Sequence, residues 1–225
     1  MLGTIVNTGT ILAGSIIGSI FRKGIKKEYQ GALFNAMGLA AAGLGINAVV
    51  QNMPKSTCPV LFIISLALGS LLGTILDLDS GFQNLSSRFA SSKLGEGLST
   101  GILLYCIGTL SILGPIQSAL NGDNTYLFTN AALDFVTSTV LAATYGIGMA
   151  IAAGVLFLWQ GSIYLCALLL GNFMSDAMMT EISIIGGFLI ASSGISILGI
   201  KDCKTLNMLP SLVIPLIWFG ITSLI

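Results

Sequence analysis

Apolar residues run along this chain in long stretches, and the polar residues between them cluster at short intervals instead of alternating. A helix crosses a bilayer core with about 20 predominantly apolar residues. On that scale the pattern predicts eight spans, near residues 4–21, 32–50, 59–76, 98–118, 128–157, 161–174, 182–199 and 208–225. The sixth is short enough to be a half-helix or a re-entrant segment. The fifth is long enough to tilt or break, and Thr144-Tyr145-Gly146-Ile147-Gly148 offers the break. Residues 77–97 form the longest connection, where Phe82, Leu85 and Phe89 recur at helical spacing opposite Gln83, Arg88 and Lys93. That is the pattern of a helix lying on the membrane surface, or of a solvated linker. The expected fold is all-α, a single polytopic membrane domain over residues 1–225.

Composition sharpens this picture. Hydrophobic residues make up 54% of the chain and charged residues 8%, a balance that suits lipid as the main solvent. Nine Lys and Arg against nine Asp and Glu leave no basic surplus, so nucleic acid is not an expected partner. Histidine is absent, which removes the commonest general base and metal ligand. Cys58, Cys106, Cys166 and Cys203 form no CxxC pair and read as small apolar residues. No catalytic residue, metal or cofactor is expected.

Charge sets the orientation. The first apolar stretch has no basic residues ahead of it and carries Arg22, Lys23, Lys26 and Lys27 after it, the reverse of a secretory signal. With those residues inside, alternation puts Arg88, Lys93, Lys201 and Lys204 inside too and leaves only Lys55 outside. Both termini are then outside, as are Asp123, Asp176 and Glu181. A sixth segment that failed to cross would put Lys201 and Lys204 on the wrong side.

Spans one to three echo spans six to eight. Gly38 and Gly45 correspond to Gly187 and Gly194, Pro59 and Gly69 to Pro210 and Gly220, and Gly3-Thr4-Ile5 to Gly161-Ser162-Ile163. On the predicted path the two triplets, within 1–76 and 161–225, run in opposite senses, the arrangement of an inverted repeat. Glycine-rich apolar segments also match by accident, and both readings stand.

Candidate chemistry is sparse. Gly3, Asn7, Thr10, Gly14 and Gly18 share one face of the first span, and Ser65, Gly69 and Gly73 share one of the third. Such stripes pack helices closely, but an amide such as Asn7 must also find a partner. Asp134 is the only acidic residue placed inside a span, and intramembrane carboxyls are costly and usually functional. Thr137 and Ser138 lie one turn on and are placed to share a cation or hold a protonated carboxyl. The alternative is an interfacial Asp at the outer end of a long helix. Asn7, Gln117, Asn130, Asp134, Asn172 and Asp176 all fall in the outer third, which suggests a polar vestibule opening outward.

Several segments together resemble a known family: Gly3-Thr4-x-x-Asn7 with Gly14 and Gly18, the stretch from Leu104 to Gln117 with Asn121-Gly122-Asp123, Leu133-Asp134, Gln160-Gly161, the stretch from Gly194 to Lys201, and Leu206-Asn207-Met208-Leu209-Pro210. Over nearly the whole chain this is similar to the domain of unknown function 554 family. The resemblance implies a prokaryotic inner-membrane protein of a kind often assigned to transport, and it carries no substrate over to any residue. The chain departs from the family pattern at Gly114-Pro115, where a kink is expected.

The leading expectation is a secondary transporter or related carrier of a small solute or ion across the inner membrane. Asp134 would bind the coupling proton or sodium ion, and Asn7, Thr10, Gln117, Asn130, Thr137 and Ser138 would line the path. An ion channel is the close variant. A non-transporting membrane scaffold or assembly protein is the alternative of another class, favoured by the glycine-rich faces, which also leave a homo-oligomer open. An intramembrane enzyme is not expected, because an aspartyl mechanism needs a second intramembrane Asp. Membrane lipid is the one partner that every reading shares.

Overall fold

The computed structural model describes residues 1–21, 25–87, 98, 101–102, 104–106, 109–171 and 175–222. Every regular element among them is helical. In chain order these are α1 (Leu2–Ile20), α2 (Lys27–Asn52), α3 (Leu61–Ile75), α4 (Leu78–Ser87), α5 (Thr109–Asn121), α6 (Thr125–Tyr145), α7 (Ile151–Leu170), α8 (Asp176–Ile197) and α9 (Thr205–Thr222). Short 3₁₀ turns follow α2 at Met53–Lys55 and interrupt α9 at Leu209–Leu212, each carrying a proline that cannot donate to a continuing helix. Another 3₁₀ turn, Ile147–Ala150, precedes α7.

Six helices, α1, α2, α6, α7, α8 and α9, are long and apolar enough to cross a membrane, and α3 is shorter but equally apolar. Their outward faces carry Ile20, Leu39, Leu158 and Leu169, each more than 60% exposed, as expected where lipid rather than water is the solvent. This is an all-α membrane protein.

The helix boundaries correct several expectations. The fifth predicted span, 128–157, is two helices. α6 stops at Gly146, whose φ of 90° lies in the left-handed region that favours glycine, and α7 starts five residues later, at Ile151. The sixth segment, 161–174, is accordingly no separate half-helix. It is the second half of α7, and Gly161 sits in a helix interior whereas Gly3 sits at a helix start. The seventh span begins at Asp176 and not at 182, because Ser175 caps α8 by accepting the Met178 N–H. Glu181, expected outside, is therefore within α8 and fully buried. α5 runs through Pro115 to Asn121. Of the predicted surface segment 77–97, α4 covers Leu78–Ser87, while 88–97, like Arg22, Lys23 and Asn172, lies outside the described residues.

The chain divides into two compact units. The first comprises Met1–Phe34 and Phe82–Gly171. In it α1 packs along α6, and the two run parallel: Gly3 meets Asn124 and Leu127, Gly14 meets Phe135 and Ser138, and Gly18 meets Thr139 and Ala142. At Gly14 and Gly18 the contact reaches the α6 backbone. A Cβ on Gly14 would overlap Ser138 Oγ and lie 2.6 Å from the Phe135 carbonyl oxygen. Asn124 ties the helix ends together, its Oδ1 accepting from the Gly3 N–H at 3.2 Å and from Ser118 Oγ at 2.8 Å. A core of Ile11, Tyr105, Cys106, Ala152, Ala153 and Leu156 fills the space beneath. Gln160 is accommodated inside α7 because its Nε2 donates to Ser111 Oγ at 3.0 Å.

The second unit comprises Asn35–Gly81 and Asn172–Ile225. Here the pairings are antiparallel. Gly38 of α2 meets Gly194 and Leu198 of α8, and Gly45 meets Gly187 and Ala191, so the two glycine pairs contact each other reciprocally. α3 lies against α9 in the same way, with Gly69 on Ser211 and Gly73 on Asn207. Phe62 and Phe188 stack with ring centroids 5.1 Å apart. Glu181 pins the turn between α2 and α3, its Oε1 accepting from Ser56 Oγ and from the Cys58 N–H at 3.2 Å.

Two variants test these contacts through thermal unfolding of the purified protein. Gly14→Leu should destabilise by about 1–3 kcal/mol, because the added side chain drives α1 off α6, whereas Gly9→Leu, at a position with open space, should be neutral. Glu181→Leu strips the Ser56 hydroxyl of its acceptor and leaves the Cys58 N–H only Ser56 Oγ, and should cost about 1–3 kcal/mol. Glu181→Gln retains a carbonyl acceptor and should stay close to wild type.

Candidate functional site

The first unit holds a buried carboxyl in the middle of a span-length helix. Asp134 is the tenth residue of the 21-residue α6, about 14 Å from its start at 1.5 Å per residue, or about half the depth of a bilayer core of about 30 Å. Ending α6 at Gly146 is what makes this a central position and not the outer end of a longer helix. Asp134 is 4% exposed.

Three elements surround the carboxyl. From its own helix, Asn130 one turn earlier donates Nδ2–H to Asp134 Oδ2 at 2.9 Å. From α1, Asn7 reaches the carboxyl across the glycine-lined contact. Its Nδ2 is fully buried and makes no hydrogen bond of good geometry. From the helical residues before α5, Tyr105 places its hydroxyl near Ser138 and within electrostatic reach of Asp134, and Cys106 also lies within that reach. The Tyr105 hydroxyl is buried and has no hydrogen-bond partner.

The expected site residues divide accordingly. Asn7, Asn130, Asp134 and Ser138 come together, and Ser138 Oγ donates to the Phe135 carbonyl at 3.0 Å. Thr10 supports Asn7 from the same helix, donating to its carbonyl oxygen at 2.7 Å and approaching its Oδ1 at 3.4 Å. Thr137 is half-buried and makes no hydrogen bond to Asp134. Gln117 is buried in α5, where its Oε1 accepts from Asn121 at 2.6 Å. Asp176 is exposed at the start of α8 in the other unit. Tyr105 went unrecognised in the sequence because a tyrosine in an apolar run resembles packing. Only a carboxyl elsewhere in the chain gives it a role.

The site presents a carboxyl, two hydroxyls and two amides, all of them on buried residues. These are hard oxygen ligands, matched to a proton or a small cation and not to soft metals. Thr4 Oγ1 and Ser15 Oγ, on the buried face of α1 on either side of Asn7, are also unpaired. Buried unpaired polar groups are rare in folded proteins, and a run of them on one helix face calls for a cause.

The sequence profile described as "Protein of unknown function (DUF554)" matches residues 2–220. The chain is 60% identical over 215 residues to "Uncharacterized membrane protein YdfK" of Bacillus subtilis (strain 168), covering 96% of this chain and 94% of that protein. It is 26% identical over 227 residues to "Uncharacterized protein YqgA" of Escherichia coli (strain K12), covering 95% and 94%. No solved structure matches it. With a profile that spans almost its full length and a relative this similar, the chain belongs to the DUF554 family of membrane proteins.

Proposed function

We propose that the protein is a secondary transporter, or a related carrier, that moves a small solute or ion across the inner membrane, with Asp134 as the site of the coupling proton or cation. One observation carries this reading: Asp134 is buried halfway along a span-length helix, with a buried amide, Asn7, reaching its carboxyl from α1. A carboxyl at that depth is disfavoured by a few kcal/mol unless its surroundings compensate, and coupling sites of secondary transporters lie near the midplane. The reading is of a binding protein and not an enzyme.

The packing senses support a path of eight crossings with both termini outside. Parallel α1 and α6 fit three crossings between them, and antiparallel α2 and α8, like α3 and α9, fit an even number between each pair. That path places Lys26, Lys27, Lys201 and Lys204 on one side, the inner one by charge. The reciprocal Gly38–Gly194 and Gly45–Gly187 contacts are what a two-fold relation between spans two and seven would produce. They support an inverted repeat of spans two and three with seven and eight, and the break at Gly146 is the kind of helix interruption that transporters place near their sites.

The test is ion-driven uptake into proteoliposomes, paired with thermal unfolding against a panel of ions, organic acids, amines and amino acids. Wild type should show saturable flux and counterflow, and the cation that drives it should raise Tm. Asp134→Asn should lose both effects while remaining folded. Asn7→Ala should raise the half-saturating cation concentration about tenfold, the effect of losing roughly 1.4 kcal/mol of interaction. Flux without saturation or counterflow would indicate a channel. No flux and no Tm response in either protein would favour the scaffold reading.

A further inference from the structure

In the second unit a polar cavity of about 450 Å³ opens where α3 and α8 end and α9 begins. Ser70 and Thr74 of α3, Asp77, and Lys201, Asp202 and Lys204 of the α8–α9 connection line it. The charges are balanced, two ammonium groups against two carboxylates, and no ion pair joins them among the described residues. All four side chains are exposed, so the cavity presents both signs of charge to a ligand that enters it.

The rim is built rather than loose. Ser196 Oγ accepts the Cys203 N–H at 3.0 Å and donates toward the Lys201 carbonyl at 3.2 Å, and Asp202 Oδ1 accepts the Lys204 N–H at 3.0 Å. On the opposite rim the buried Asn207 accepts the Asp79 N–H at 2.9 Å through its Oδ1. Asp77 and Lys204 both have φ of 45°, and they are the two non-glycine residues with positive φ among the described residues. Left-handed backbone at such residues persists only where its surroundings hold it, and here both instances border one cavity.

We propose that this cavity binds a zwitterion that carries an oxyanion and a primary ammonium group, the oxyanion on Lys201 and Lys204 and the ammonium on Asp77. A phosphoethanolamine lipid headgroup and a free amino-acid-like solute share that chemistry. The position at helix ends, where spanning segments meet the headgroup layer, makes the lipid the expected source. Lysine supplies point charges with three donors to the oxyanion, and a primary ammonium can donate hydrogen bonds to Asp77 where a quaternary one cannot. This site is independent of Asp134 and of the transport reading.

The experiment is thermal unfolding of the delipidated full chain in nonionic detergent, with phosphatidylethanolamine, phosphatidylcholine or phosphatidylglycerol added to equal mole fraction. Soluble phosphoethanolamine and alanine are run separately. Phosphatidylethanolamine should raise Tm more than the other two lipids. That difference should disappear in Lys201→Gln/Lys204→Gln, and also in Asp77→Asn, which keeps a side chain that tolerates the left-handed backbone. Lys204→Gly should be more stable than wild type without lipid yet respond less to it, which separates binding from folding. A response to the soluble zwitterions alone, lost in the same variants, would retain the site and make a solute its occupant. Equal shifts with all three lipids, or phosphatidylglycerol matching phosphatidylethanolamine with Asp77→Asn unaffected, would overturn the proposal.

Discussion

The first unit depends on the backbone contact between α1 and α6. With glycine at 3, 14 and 18, the two parallel helices approach closely, backbone against backbone at Gly14 and Gly18, and a Cβ at any of the three would collide with α6 or the residue before it. In a bilayer, helix association gains little from the hydrophobic effect and relies on such packing and on interhelical polar contacts. Asn7 occupies the same face between the glycines, so the approach that joins the helices also carries a buried amide to Asp134. Packing and chemistry share one interface, and for that reason a residue such as Gly14 matters to the site without touching the carboxyl.

The two buried carboxyls differ in how they are satisfied. Glu181 holds the turn after α2 through one oxygen, Oε1, which accepts from Ser56 and Cys58 near the start of α8, while its Oε2 is buried without a partner. Asp134 has one amide donor from its own helix and a second amide, Asn7, reaching it from α1, with the Tyr105 phenol within electrostatic reach. The Glu181 bonds hold a hydroxyl and a backbone N–H of a turn, and losing them costs about 1–3 kcal/mol.

Much of this was legible in the sequence, for identifiable reasons. Apolar run length revealed membrane helices, and the glycine spacing in the first and third spans marked the faces that pack. Gly38, Gly45, Gly187 and Gly194, matched by spacing alone, meet across α2 and α8. Asp134 stood out because acidic residues are rare in apolar runs. The boundaries were less legible. Hydropathy is nearly continuous through 128–170, so the turn at Gly146 depends on backbone conformation, and the α7 helix continues through the polar Gln160, whose Nε2 finds Ser111 of another helix. Glu181 was misplaced because its partners, Ser56 and Cys58, lie more than 120 residues away in the chain. Tyr105 was passed over for the same reason, since its importance depends on Asp134 and Ser138 in α6.

The most direct test of the central claim is chemical: modification of the carboxyls in membranes by dicyclohexylcarbodiimide, mapped by mass spectrometry over a range of pH and of sodium and potassium concentrations. The reagent partitions into the bilayer and attacks carboxyls that take up protons there. Asp134 should be modified, and one cation, or low proton concentration, should protect it in a saturable way, while Glu181 shows no such dependence. An Asp134 that stays unmodified under every condition, or is modified at a rate no ion alters, would contradict its assignment as the coupling site.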